Sequence, residues 1–189
     1  MKKIILALSI TLALSSCSKN ETTTTESNDI KLGGKYKGGI VAYILQPGDP
    51  GYIQSEVHGF IAAEQDQSTT IQWNNISFTN TGATATAMGT GLANTNKIIA
   101  NQGAITTSYA AGLARAYNGG GFTDWYLPSK DELNKLYLAK ATIGGFTEGH
   151  YWSSTDFSLT DAWNQTFDNG NQYDKGKSNT LCVRAIRSF

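Results

Sequence analysis

The chain has 189 residues, a length that suits one ordinary domain with short appendages better than two domains. Hydrophobic residues make up 40% of it and charged residues 16%, and the charged fraction is well below the roughly 25% of an average globular domain. Lys plus Arg and Asp plus Glu are both 15, so the formal net charge is zero. The apolar content excludes a wholly disordered chain, and the charge balance argues against a nucleic-acid partner.

The N-terminal residues have the pattern of a secretory signal. Two lysines precede a mostly apolar stretch at residues 4–14, which is shorter than the roughly 20 residues that a membrane-spanning helix needs. Leu14-Ser15-Ser16-Cys17 resembles the bacterial lipobox. This resemblance implies a lipoprotein signal peptide at residues 1–16, cleavage before Cys17, and a Cys17 lipid that anchors the protein in a membrane. The alternative is an ordinary secretory signal with a coincidental cysteine.

Residues 17–32 are predicted to form a flexible polar tether that begins at the lipidated Cys17. Ser18–Asn28 has no apolar residue, so it cannot bury enough surface to offset the entropy lost on ordering. Residues 33–189 are predicted to form a single domain. Its one cysteine, Cys182, lies in an apolar segment and is predicted to be a buried, unreactive thiol. With Cys17 lipidated, no intramolecular disulfide is expected.

Strands are predicted at the start of the domain. Tyr36–Leu45 and Gly59–Ala63 are apolar runs, and the turn cluster Pro47–Gly51 separates them. Thr69–Phe78 is predicted to be extended or looped.

Helices are predicted in the middle of the chain. One follows Thr90, and a second covers Thr106–Tyr117, with Thr107 or Ser108 as its cap. A third begins at Ser129, where Ser129-Lys130-Asp131-Glu132 has the pattern of a capping box.

The pattern returns to strands near the C-terminus. Three strands are predicted there, at Tyr151–Thr155, Ala162–Phe167 and Thr180–Ile186. Asp168–Asn171 has the composition of a hairpin turn. The order of strands, helices and strands predicts the α+β class, with the first and last strands paired.

Motifs for enzymatic chemistry are not found in the sequence. There is no phosphate-binding glycine loop, no zinc-ligand spacing and no Gly-x-Ser-x-Gly elbow. Asp168–Asp174 is rich in the oxygen ligands that calcium prefers, but it lacks the spacing of an EF-hand, and a solvated hairpin is the preferred interpretation. We expect no catalytic residue, no metal and no cofactor.

Six sequence blocks together carry a family resemblance. They are Tyr36–Tyr43, His58–Ala63, Gly120–Leu133, Tyr151–Thr155, Ala162–Trp163 and Val183–Arg187. In this order they resemble the domain at the C-terminus of Legionella collagen-like adhesins, which also occurs in many bacterial surface lipoproteins. That family is similar to the C-type-lectin-like superfamily. The resemblance covers about residues 35–189.

This resemblance implies a C-type-lectin-like fold with paired terminal strands, flanking helices, a loop-rich late-strand region and no disulfides. Trp125 and Leu127 are expected in the core, and Trp152 and Trp163 on the sheet face. In the adhesin relatives the domain contributes to attachment to polyanionic host glycans. The sugar-binding triplets and disulfides of calcium-dependent lectins are missing here, which argues against calcium-dependent sugar binding.

Lectin-like folds place recognition on the loops among the late strands, which predicts a ligand site in this region. Its candidate residues are Asn164, Asp168, Asn171, Tyr173, Asp174 and Lys175. Carboxamides and carboxylates bond sugar hydroxyls, and an aromatic ring stacks on the sugar. The alternative is that residues 168–171 only turn a hairpin. A basic group is the next candidate surface, formed by Lys175, Lys177, Arg184 and Arg187.

These features predict a lipid-anchored protein of the bacterial outer membrane or cell surface. It would not be an enzyme, and it would present a binding module to an extracellular glycan or protein. One alternative is a structural or assembly component of the envelope without a small ligand. A further alternative is an enzyme related to the formylglycine-generating enzymes, but their chemistry uses a cysteine pair and only Cys182 remains after lipidation.

Overall fold

A computed structural model describes residues 30–75, 77–103 and 105–189. The predicted signal peptide, the lipidated Cys17 and the tether up to residue 29 lie outside the described residues. Cys182 is buried and free, so the described part of the chain holds no disulfide. Within these ranges no helix combines the length and the apolar character that crossing a membrane would require.

Along the chain, the strands of the described residues come before and after the helices, and they form two sheets. They are β1 (Lys35–Tyr36), β2 (Gly39–Ile44), β3 (Gly59–Ala62), β4 (Ser68–Gln72), β5 (His150–Asp156), β6 (Asp161–Thr166), β7 (Gln172–Gly176), β8 (Thr180–Val183) and β9 (Ile186–Ser188). The four-stranded sheet has the order β1-β2-β3-β9, and the five-stranded sheet has the order β4-β8-β5-β6-β7.

The helices lie between the early and the late strands along the chain. They are α1 (Gly91–Gln102), α2 (Ala110–Ala116), α3 (Lys130–Leu138) and α4 (Lys140–Ile143), with a short 3-10 turn at Gly119–Gly121 between α2 and α3. Strands and helices are therefore segregated along the chain, which confirms the predicted α+β class.

Helix α3 begins where the capping box predicts it. The Ser129 hydroxyl accepts a hydrogen bond from the Glu132 N–H at 3.3 Å, and the Ser129 N–H donates to Glu132 Oε2 at 2.7 Å. These reciprocal bonds satisfy two N–H groups at the helix start. Leu133 and Leu136 on the inner face are each 1% exposed. Cap and burial together fix the position of α3.

Helix α2 is shorter than predicted, and the predicted caps are wrong. It begins at Ala110 with Tyr109 at the N-cap, and neither Thr107 nor Ser108 caps it. The Ser108 hydroxyl donates instead to Asn75 Oδ1 at 2.7 Å. Because this hydroxyl bonds a distant loop, it is not available to its own helix.

The apolar run at Tyr36–Leu45 forms a hairpin instead of one strand. Lys37 and Gly38 have φ values of 41° and 86°, in the left-handed region, and they reverse the chain between β1 and β2. A Cβ on Gly38 would lie 2.7 Å from the Gly119 carbonyl oxygen. The close approach therefore requires glycine at this turn.

The prediction that the first and last strands pair is wrong. Strand β9 pairs with β3, with Phe60 opposite Ser188. Strand β1 has only two residues, whereas β3 has four, all of them buried. The edge of β3 therefore gives the last strand a longer and more buried partner. The two ends still meet, since the ring centroids of Tyr36 and Phe189 are 5.4 Å apart.

Two late strands also differ from the prediction. The run Thr180–Ile186 is broken at Arg184 and Ala185, where the chain passes from the five-stranded sheet into the four-stranded sheet. The buried Arg184 side chain accounts for the break, because its NH1 group donates to the Ala63 carbonyl at 2.9 Å. Strand β7 was not predicted because Gln172–Gly176 is polar, and β6 holds it in place as an edge strand.

Two buried tryptophans link β4 and the loop after it to β5. The indole N–H of Trp152 donates to the Ile71 carbonyl at 2.9 Å, and that of Trp73 donates to the Ser153 carbonyl at 2.8 Å. Both rings are 0% exposed, so these bonds satisfy indole N–H groups that water cannot reach.

Trp125 and Leu127 are confirmed as core residues, and Trp152 and Trp163 lie on β5 and β6, as predicted for residues of the sheet. Trp125, Leu127 and Trp152 are each 0% exposed. Trp163 is only half-buried, and Lys130 Nζ lies 3.8 Å from its ring centroid. The lysine covers this ring in place of core side chains.

Candidate functional site

The predicted binding residues lie on the β6–β7 hairpin, but they do not share one face of it. In the register of the two strands, Asn164 is opposite Tyr173 and Trp163 is opposite Asp174. Neighbouring side chains on a strand point to opposite faces, so Tyr173 and Asp174 project to opposite sides of the hairpin. The structure therefore does not gather the predicted residues around a single concavity.

Asn164 is occupied inside the fold. It is 1% exposed, its Nδ2 donates to the Tyr173 carbonyl at 2.9 Å, and its Oδ1 lies 2.8 Å from His150 Nδ1. Both ends of the amide thus join β6 to its two neighbouring strands.

The turn and the outer strand of the hairpin reach solvent. The exposed predicted residues are Asp168, Asn171, Tyr173 and Asp174, and Lys175 is half-buried. The Gly170 N–H donates to the Thr166 carbonyl at 2.9 Å, and the Asn171 N–H donates to Asn169 Oδ1 at 3.0 Å. These local bonds are typical of a tight turn, which supports the turn interpretation of residues 168–171. No group of three or more metal-binding side chains occurs in the described residues.

The basic group does not form a surface. Lys177 and Arg184 are 0% exposed and Arg187 is 6% exposed. Each is paired with a carboxylate, and the N···O distances are 2.7 Å for Lys177–Asp156, 2.8 Å for Arg184–Asp66 and 2.7 Å for Arg187–Asp124. Buried charges are tolerated when they are paired, so these cations serve the fold.

Asp66 is the centre of one of these networks. Its Oδ1 accepts from Arg184 Nε at 2.8 Å, and its Oδ2 accepts from the Tyr151 hydroxyl at 2.7 Å and the Thr147 hydroxyl at 2.9 Å. Burial, and then the hydrogen bond to Asp66, raise the pKa of Tyr151, so the phenol remains a donor. The network ties the segment after β3 to β5 and to the break between β8 and β9.

Two further ionisable groups are buried. Burial raises the pKa of the Glu132 carboxyl to about 7, although the N–H groups of Ser129 and Gly89 donate to it and act in the opposite direction. Burial also raises the pKa of the Cys182 thiol to about 11. The prediction that Cys182 is buried is confirmed, and at neutral pH it is a thiol, not the nucleophilic thiolate.

A groove that the sequence analysis missed runs between residues 65–72 and residues 107–118, and we name it the carboxamide groove. It consists of two adjoining depressions of ≈ 320 and ≈ 400 Å³, which share Gln67, Thr107 and Leu113. Both volumes lie within the roughly 300–1,000 Å³ range of small-molecule sites. Several of the other lining side chains are uncharged and polar, among them Gln65, Thr70, Gln72 and Asn118.

One half of this groove had a signal in the sequence. Residues 65–72 read QDQSTTIQ, a run of carboxamides and hydroxyls. Its partner segment lies more distant in the chain, and only the packing of α2 beside β4 brings the two together.

Comparison with known families agrees with the resemblance. The model of the Lcl C-terminal domain matches residues 63–187, from the end of β3 into β9. The model of the prokaryotic membrane lipoprotein lipid attachment site matches residues 1–18, which include Cys17. No curated protein matches the chain. The chain is therefore a prokaryotic lipoprotein that belongs to the Lcl C-terminal domain family.

Proposed function

We propose that the protein is a binding module of the bacterial outer membrane or cell surface, and that it contacts an extracellular glycan or protein without catalysing a reaction. The lipid attachment site supplies the anchor, and the polar composition of residues 18–28 suits a spacer between lipid and domain. A C-type-lectin-like fold is part of the proposal. The family match and the helices between early and late strands support it.

The placement of the charged side chains carries this proposal. The side chains of Lys177 and Asp156 are 0% and 1% exposed, and those of Arg184 and Asp66 are 0% and 7% exposed. A general acid or base must reach its substrate, and these groups reach one another instead. The carboxamide groove and the hairpin leave polar and aromatic groups at the surface, which suit recognition by hydrogen bonding and stacking.

The test is an array of glycans and extracellular proteins, probed with the full-length lipidated protein in mild detergent. A variant that ends at residue 32 keeps the anchor and the tether and serves as the control. We expect the full chain, and not the control, to bind at least one member of the array. If the two behave alike across the array, the domain is better explained as a structural component of the envelope.

A further inference from the structure

The carboxamide groove carries hydrogen-bonding groups that the fold does not use. Within the described part of the chain, the side chains of Gln65, Gln72, Thr107 and Asn118 make no hydrogen bond. Groups next to them in the chain do form hydrogen bonds within the fold. Of the predicted hairpin residues, Asn164 bonds within the fold and the Asp168 carboxylate accepts from the Thr166 hydroxyl. Free donors and acceptors that line a concavity are the groups that fix a polar ligand in place.

The groove also has an apolar wall. Leu113 and Tyr117 line it, and both are half-buried. The Tyr117 ring is held edge-on against Trp125, with centroids 4.8 Å apart and an interplanar angle of 70°. A ring fixed in this way presents a preformed surface, so a ligand that packs on it does not have to order the side chain.

The lining of the groove is electrically neutral. Asp66 is the one charged residue that lines it among those described, and Arg184 Nε already neutralises it at 2.8 Å. A sulfated or carboxylated ligand would find no cation to pair with in this groove. Charge therefore selects against a polyanion.

From these three observations we propose that the carboxamide groove binds a neutral oligosaccharide. Its amides and hydroxyls bond the sugar hydroxyls, and the Tyr117 and Leu113 wall contacts the apolar face of a sugar ring. The two depressions adjoin at Gln67, Thr107 and Leu113, so the ligand is an oligosaccharide with more than one unit in contact. This inference rests on the proposed function and adds the site and the ligand class.

The experiment compares two double variants of the full-length protein. Gln72→Ala/Asn118→Ala removes unused groove amides, and Tyr173→Ala/Asp174→Ala removes exposed groups of the hairpin as the matched control. Each is probed on arrays of neutral gluco-, manno-, galacto- and chito-oligosaccharides, heparin and extracellular-matrix proteins. The best neutral oligosaccharide is then titrated by calorimetry, and urea unfolding checks that both variants are folded.

We expect the groove variant to bind the neutral oligosaccharide at least about tenfold more weakly, because two hydrogen bonds are lost. The hairpin variant should stay within about twofold of the wild type. If the hairpin variant alone loses binding, the groove is the wrong site and the proposed function stands. Binding to heparin or to a protein only would overturn the ligand class and leave the proposed function intact. Binding to no member would overturn both.

Discussion

Replacing Lys177 by methionine tests whether the cations of the late strands hold the fold together. Lys177 Nζ lies 2.7 Å from Asp156 Oδ1, and it donates to the carbonyls of Thr79 at 2.9 Å and Ser158 at 2.8 Å. Nζ also donates to the Leu159 carbonyl at 3.2 Å. Methionine fills the space of the stem without these donors, so a carboxylate and three carbonyls lose a partner. Removing one member of a buried ion pair costs about 3–5 kcal/mol. This is a large part of the roughly 5–15 kcal/mol that stabilises a typical domain.

The assay is urea unfolding of the full chain, followed by tryptophan fluorescence. Trp73 is a local reporter, since its ring centroid lies 4.8 Å from Lys177 Nζ. Lys175→Met is the control, because this lysine is half-buried on an edge strand and its loss should change the free energy of unfolding by no more than about 0.5 kcal/mol. Asp156→Asn/Lys177→Met should recover part of the loss, since no charge is left unpaired. If Lys177→Met lowers the free energy of unfolding by less than about 1 kcal/mol, this reasoning is refuted and the lysine is better described as a surface residue.

Three further predictions follow from the core, the anchor and a buried carboxyl. Trp125→Ala should lower the free energy of unfolding by about 3–5 kcal/mol, because it truncates a fully buried ring; an unchanged urea midpoint would contradict its place in the core. Cys17→Ser should release the protein from the membrane fraction, and retention after a salt wash would contradict the lipid anchor. The pKa of Glu132 is raised from 4.5 to about 7, so its contribution to stability is full below about pH 4.5 and is lost as the pH rises through 7. At about 1.4 kcal/mol per pH unit this loss is on the order of 3 kcal/mol. Glu132→Gln should lack that step in unfolding measured from pH 4 to 8, and parallel profiles for the two proteins would argue against a buried carboxyl.

Features that depend on neighbouring residues could be read from the sequence. The capping box of Ser129 and Glu132 forms within one helical turn, and the turns at Pro47–Gly51 and Asp168–Asn171 depend on residues inside them. The lipid attachment site is likewise a contiguous signal. Trp125 was predicted to be buried because the block around it resembles a family.

Features that depend on distant partners required the tertiary structure. Lys177 pairs with Asp156, and Arg184 pairs with Asp66, which is more than one hundred residues away in the chain. Because the sequence does not show these partners, the two cations were predicted to belong to a basic surface. Strand β7 has a polar sequence and exists because β6 offers it an edge.

The candidate site shows the same division. The sequence of the hairpin predicted a cluster of polar groups, but strand register sends Tyr173 and Asp174 to opposite faces. The carboxamide groove joins residues 65–72 to residues 107–118, two segments that no local pattern connects. Hydrogen bonds within a turn are encoded by the turn itself, whereas a concavity between two elements exists only after both have packed.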